Sequence, residues 1–203
     1  MVAIFAALFG VLTLGLLSPG PDFLLILRNS AGPSRARAFG TVGGIVCGLA
    51  AQSVTIALGF AALPAAAMRV LQFGGAAYLA YLGLRALLCR PGPAATGQES
   101  ESTGALSGFL DGLVCNVTNP KVFIFFVGVF TQVIPPQATL GWRLLVPGAV
   151  VLHGLVLWSL IVLALRSSPI AGQLRRAQRW LPRAFGVALL AFAIWLVHGA
   201  AVA

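Results

Sequence analysis

Two charges stand directly behind two prolines. Asp22 closes the run Ser18-Pro19-Gly20-Pro21-Asp22, and Lys121 closes Asn116-Val117-Thr118-Asn119-Pro120-Lys121. Each run interrupts a long apolar stretch, which resumes as Phe23-Leu24-Leu25-Ile26-Leu27 in the first case and Val122-Phe123-Ile124-Phe125-Phe126 in the second. A proline removes a backbone donor and frees the carbonyl four residues earlier. In lipid, freed backbone groups are tolerated only where protein or a polar cavity satisfies them. A carboxylate, an ammonium and free N–H groups brought together there could hold a small zwitterion, its ammonium against Asp22 and its carboxylate against Lys121. The candidate binding residues are therefore Ser18, Pro19, Gly20, Pro21, Asp22, Asn116, Asn119, Pro120 and Lys121.

Plainer roles stay open beside this one. Asp22 opens a half-helix, where the positive end of the dipole welcomes a carboxylate, so it could serve as a cap alone. Lys121 resists that explanation, because a cation at a helix N-terminus opposes the dipole and a membrane-embedded Lys costs roughly 2.5–3.5 kcal/mol on insertion scales. A purely structural ion pair with Asp22 would account for it. Asp22 and Asp111 are the candidates for a proton-coupling group, although Asp111 could equally be a solvated surface carboxylate. His153 and His198 lack metal-ligand spacing to each other or to carboxylates, and Cys47, Cys89 and Cys115 form no CxxC pattern. They read as packed side chains, and neither a metal nor a cofactor is expected.

The elements that must position these charges are membrane helices. Hydrophobic residues make up 59% of the 203, charged residues 8%, and the mean hydropathy is +0.98. Soluble domains carry about 25% charged residues, so a water-soluble fold is excluded. Apolar spans are expected near residues 3–28, 39–64, 69–88, 106–131, 143–165 and 183–201, giving an all-α polytopic membrane protein of six helices. The first apolar run has no basic region before it and no small-residue cleavage site, so it reads as a retained span rather than a signal peptide.

The net charge of +9 comes with no basic stripe interleaved with aromatics, which argues for topology rather than nucleic acid. With the N-terminus outside, the inner loops carry Arg28, Arg35, Arg37, Arg85, Arg90, Arg166, Arg175, Arg176, Arg179 and Arg183, ten residues against Arg69 and Arg143 outside. Both termini are then periplasmic in a bacterial inner membrane. Residues 91–104, PGPAATGQESESTG, are too polar to enter a core and read as a flexible cytoplasmic linker between a first three-helix repeat (1–90) and a second (105–203). With three spans in each half, the second enters the membrane from the opposite side. Aligning Pro21 with Pro120 then gives each inverted half a broken first helix with a charge past the break, the arrangement that marks a substrate site near the bilayer midplane. Gly40, Gly44 and Gly48 share one face of the second span and allow close helix packing inside the bundle or in a homodimer.

The stretch SPGPDFLLILRNS with the GxxxGxxxG helix, GGAAYLAYLGLRAL from Gly74 to Leu87, and GFLDGLVCNVTNPKVFIFF together resemble the LysE/RhtB family of amino-acid exporters. The resemblance runs across almost the whole chain. It implies a six-helix efflux carrier for basic amino acids or for threonine, homoserine and similar neutral compounds, and the motif holding Asp22 looks more like the neutral branch. The partners it implies are a small zwitterionic substrate and the lipid bilayer. A membrane enzyme would need a convergent nucleophile, base or metal set that four acidic residues and two isolated histidines do not supply. An inorganic-cation exporter should hold more buried carboxylates, and in a non-transporting assembly subunit the breaks would be mere kinks.

The charge count makes a topological prediction. In a cysteine-free background, a cysteine at Ser100 is expected to react with impermeant reagents only from the cytoplasmic side and one at Gln137 only from the periplasmic side. Labelling of both from one face would mean that the span between them does not cross.

Overall fold

The computed structural model describes residues 2–17, 20–88, 104–167, 180, 183–184, 186–191 and 193–194, and for residues 2–7, 65, 68, 72 and 86 their backbone only. Among them all regular structure is helical: α1 (Val2–Leu17), α2 (Pro21–Ala31), α3 (Arg35–Gly59), α4 (Ala65–Leu88), α5 (Ala105–Val117), α6 (Pro120–Val133) and α7 (Leu140–Arg166). A short 3-10 turn, Phe60–Ala62, follows α3. The described residues between 183 and 194 are helical as well.

Local chemistry starts and stops these helices. Polar side chains at Ser34, Asn119 and Thr139 accept the backbone N–H of Arg37, Lys121 and Trp142, at 3.1, 3.1 and 3.3 Å. Each N-cap satisfies a donor that the first turn would otherwise leave orphaned. Pro21 and Pro120 both occupy the first position of a helix, where their missing N–H removes nothing. The two prolines therefore end one helix and start another in a new direction. The axes of α1 and α2 differ by 60°, and those of α5 and α6 by 57°.

Length and hydropathy make α3 with its terminal turn and α7 long and apolar enough to cross a bilayer, and each bent pair can count as a further span. The 25 residues of α3 extend about 37 Å, more than the ~30 Å hydrocarbon core. One side of α7 exposes Leu144, Leu145, Leu152, Leu155, Val156, Leu160 and Leu163, and α4 exposes Val70, Phe73, Tyr81, Leu84 and Leu88. A surface this apolar belongs in lipid rather than water. The interior face carries a core of Phe23, Ile45, Leu49, Leu79, Phe126, Phe130 and Trp158, contributed by five of the helices.

Backbone-to-backbone packing joins the two halves. Gly40 and Gly44 of α3 lie against the carbonyls of Ala105 and Phe109, while Gly108 and Gly112 of α5 answer from the other side against the carbonyls of Arg37 and Thr41. A Cβ at any of the four would collide with main chain that cannot yield. The glycine ladder expected on the second span is thus spent within the chain, on a partner ladder in α5. A second close approach sets Gly75 of α4 on Gly128 of α6, and a third sets Gly83 of α4 beside Gly186.

This packing predicts opposite signs for one substitution at two glycines. Gly44→Ala forces a methyl into the Phe109 carbonyl and is expected to lower stability by about 1–3 kcal/mol. Gly74→Ala, on an exposed helical position with nothing within 4 Å, is expected to be neutral or to gain up to about 1 kcal/mol of helix propensity. Thermal unfolding of the two variants in one detergent checks this, and equal effects would contradict the packing.

Candidate functional site

The start of α2 meets the end of α5. Asp22, one residue past Pro21, is 5% exposed, and a carboxylate so buried needs protein donors in place of water. Asn116 Nδ2 donates to its Oδ2 at 2.8 Å and the Cys115 thiol to its Oδ1 at 3.3 Å. The Asn119 side chain reaches the same carboxylate, and the Lys121 ammonium attracts it through charge. Asn116 is itself held: Gln52 Nε2 donates to its carbonyl at 2.6 Å, and its amide oxygen rests on Gly48, where a Cβ would displace it. The third glycine of the α3 ladder makes room for the side chain that solvates Asp22.

Asp22, Asn119 and Lys121 border an open cavity. Gly20 and Asp22 from the N-terminus of α2, and Asn119 and Lys121 from that of α6, are its polar contributors. The walls are Leu12, Gly15 and Leu16 of α1, Phe23 of α2, Leu49 of α3, Val122, Phe125 and Phe126 of α6, and Trp158 of α7. Two helix N-termini therefore converge on one space from the two bent pairs, each bringing one charged side chain. Partial positive charge at both termini favours an anionic group there, and Lys121 adds to it. Asp22 supplies the opposite sign within the same cavity.

The far end of α2 is tied down separately. Arg37, 6% exposed on the first turn of α3, donates from Nε to Asn29 Oδ1 at 3.3 Å and from Nη2 to Asp111 Oδ2 at 2.7 Å. Asn29 Nδ2 in turn donates to Thr41 Oγ1 at 2.7 Å. From α7, Arg166 donates to the carbonyls of Ser30, Gly32 and Pro33, where α2 has run out of helical donors. One short helix thus carries the cavity carboxylate at its start and a clamp of two arginines at its end.

The sequence pattern of the LysE type translocator family matches residues 13–200. The chain belongs to this family. It is 28% identical over 204 residues to the threonine efflux protein of Salmonella typhimurium, covering 97% of this chain and 98% of that one, and 28% identical over 209 residues, with the same coverage, to the threonine efflux protein of Escherichia coli. A membrane protein of Haemophilus influenzae is 29% identical over 195 residues, 91% of each chain. No solved structure is a significant match. Family and apolar helices together make the translocator a multi-pass membrane protein.

Of the residues singled out by the translocator's sequence, Gly20, Asp22, Asn119 and Lys121 border one cavity, Asn116 binds Asp22, and Pro21 and Pro120 set the helix starts. Ser18 and Pro19 lie outside the described residues, as do Cys89 and His198. Asp111 is not among the cavity's lining residues; it pairs with Arg37 instead. Two arginines counted as loop charges need correction. Arg37 is a buried member of α3, and Arg143, 4% exposed in the first turn of α7, donates to the carbonyls of Pro136, Ala138 and Ala57 at 2.7, 3.1 and 3.0 Å. Both satisfy specific buried acceptors in addition to carrying charge, a role invisible until the chain ends they join are in contact. Cys115 likewise is more than packing, since it donates to Asp22. His153 packs its ring on Phe9 at 5.1 Å and meets Thr13 Oγ1 at 3.0 Å. Because the Thr13 hydroxyl donates to the Phe9 carbonyl, His153 Nε2 is the donor in that contact. Gln52 was legible as a lone polar residue in an apolar span, but its target was not.

The Arg37–Asp111 pair is lopsided, with side chains 8% and 42% exposed. Arg37→Ala and Asp111→Ala are each expected to destabilise by roughly 2–4 kcal/mol, the first because it strips the Asn29 oxygen and a buried aliphatic stem, the second because it takes the carboxylate from a buried guanidinium. Unfolding in detergent of the two single variants measures both losses, and an Asp111→Ala protein as stable as the parent would speak against the pair.

Proposed function

We propose that the translocator exports an amino acid or a small derivative across the bacterial inner membrane, with the cavity between α2 and α6 as its binding site. The observation that carries this reading is the pair of opposite charges, Asp22 and Lys121, on two helix N-termini around one cavity. A free amino acid presents the same two charges on one carbon. Its carboxylate binds Lys121 and the N–H groups at the helix starts, and its ammonium binds Asp22. Asp22 is buried and Lys121 half-buried, so the substrate replaces their mutual attraction rather than opening new bare charge. The threonine efflux relatives, matched over nearly the whole length, support the substrate class.

The architecture in this reading is six spans in two inverted three-helix repeats, residues 1–90 and 105–203, joined by the linker 91–104, with both termini periplasmic. The likeness of the two bent pairs supports it: each has a proline at the first position of its second helix, a charge at the second position, and a bend near 60°. Alternating access then amounts to movement of one pair against the other around the shared cavity. Efflux runs against entry of protons, and Asp22 carries the proton, being the candidate carboxylate that borders the cavity while Asp111 is held by Arg37. Proton and substrate ammonium compete for the same carboxylate, which is sufficient for exchange.

The pair is tested by removing it. Asp22→Asn alone or Lys121→Gln alone leaves one charge in low dielectric, and each is expected to lower thermal stability, while the double variant recovers it. Export from preloaded proteoliposomes is expected to be absent in all three. Near-normal export by a well-folded Asp22→Asn, Lys121→Gln protein would refute the binding role and leave both charges structural.

A further inference from the structure

Trp158 of α7 is fully buried, and among the described residues its indole Nε1 has no hydrogen-bond acceptor. Burying an N–H in that way is costly, and a phenylalanine would fill most of the same space without it. The ring forms part of the cavity wall and packs on Phe23, with ring centroids 6.2 Å apart at 45°. Phe23 is the third residue of α2, so its N–H and that of Asp22 precede the first intrahelical bond, from Leu24 N–H to the Gly20 carbonyl at 2.9 Å. The indole therefore stands at the end of the cavity where the α2 dipole is positive. Neighbouring side-chain oxygens are engaged by other donors: those of Asp22 accept from Cys115 and Asn116, and Asn119 Oδ1 accepts from the Lys121 backbone.

We propose that Trp158 is a ligand-binding residue, donating its indole N–H to a carboxylate oxygen of the bound amino acid. This rests on the amino-acid reading of the site. An indole nitrogen only donates, so its partner must be an acceptor, and the carboxylate is the acceptor that every amino acid brings. Lys121 supplies a charge on a flexible stem, whereas Trp158 supplies a neutral donor held in place by the packing of a rigid ring. A hydrogen bond to an ionised oxygen is stronger than one between neutral groups, and forming it also ends the cost of a buried lone donor. The contact is worth roughly tenfold in affinity.

Replacing Trp158 by 3-benzothienylalanine through nonsense suppression keeps the bicyclic shape and exchanges the N–H for sulfur. Counterflow in proteoliposomes with L-threonine, L-leucine and L-lysine then measures the contact. The half-saturating concentration is expected to rise about tenfold for each probe that the parent exchanges, with thermal unfolding unchanged. In indole-15N-labelled protein, the Trp158 resonance, assigned by its loss in Trp158→Phe, is expected to move when the same amino acid is added. The Trp142 resonance is expected to stay, since its N–H already donates to the Val133 carbonyl at 2.9 Å. The decarboxylated amine of each exchanged probe, which keeps the ammonium and the side chain, is expected to leave Trp158 unmoved. Unchanged half-saturation with an unmoved Trp158 resonance would overturn the contact and leave amino-acid transport standing. Movement with the amine as large as with the amino acid would overturn the carboxylate as acceptor. Exchange of none of the three by the parent would overturn the contact and the amino-acid reading together.

Discussion

A carboxylate inside an apolar bundle has to be solvated by protein, and in this chain the solvation of Asp22 organises everything around it. Its donors do not come from its own helix. They come from Cys115 and Asn116, more than ninety positions away, at the end of α5. For those groups to arrive, α5 must run close along α3, and Asn116 must find space at Gly48 and a second tether at Gln52. The hydrogen bond between Asn116 and Asp22 is therefore a joint between the two halves of the chain as well as a local contact.

Close approach of α3 and α5 has few solutions. In lipid there is no hydrophobic gain from hiding one apolar side chain against another, so helices associate through tight packing and interhelical hydrogen bonds. Glycine supplies the first, at Gly40 and Gly44 on one side and Gly108 and Gly112 on the other. Polar groups at the ends supply the second, through Arg37 with Asp111 and Asn29. The ladder sets distance and register; the arginine holds the end that glycine cannot.

Viewed along α2, the same economy recurs. Its start is left open toward a cavity, with a proline where a donor would be wasted and a carboxylate one position later. Its end is closed, with the carbonyls of Ser30, Gly32 and Pro33 taken up by Arg166 and the Asn29 side chain taken up by Arg37 and Thr41. α6 repeats the open start with Asn119, Pro120 and Lys121. The charged starts of these two helices lie around one cavity.

Local rules decided what could be read along the chain alone. Proline ends a helix wherever it falls, a charge-free run of twenty residues asks for lipid, and paired breaks announce their own importance, so the all-helical membrane class and the residues Gly20, Asp22, Asn119 and Lys121 were legible from order and type. What order could not reveal was partnership. Arg37 and Arg143 resemble loop charges until the carbonyls and the carboxylate they serve are beside them, Asp111 resembles a free acid until Arg37 faces it, and the α5 glycines pass unnoticed until α3 lies on them. Leu16, Leu49, Phe126 and Trp158 resemble any other core residues, because an apolar side chain carries no sign of which cavity it will line. Backbone chemistry is a property of neighbours in sequence; solvation of a buried charge and the shape of a cavity are properties of neighbours in space, and only the tertiary structure chooses those.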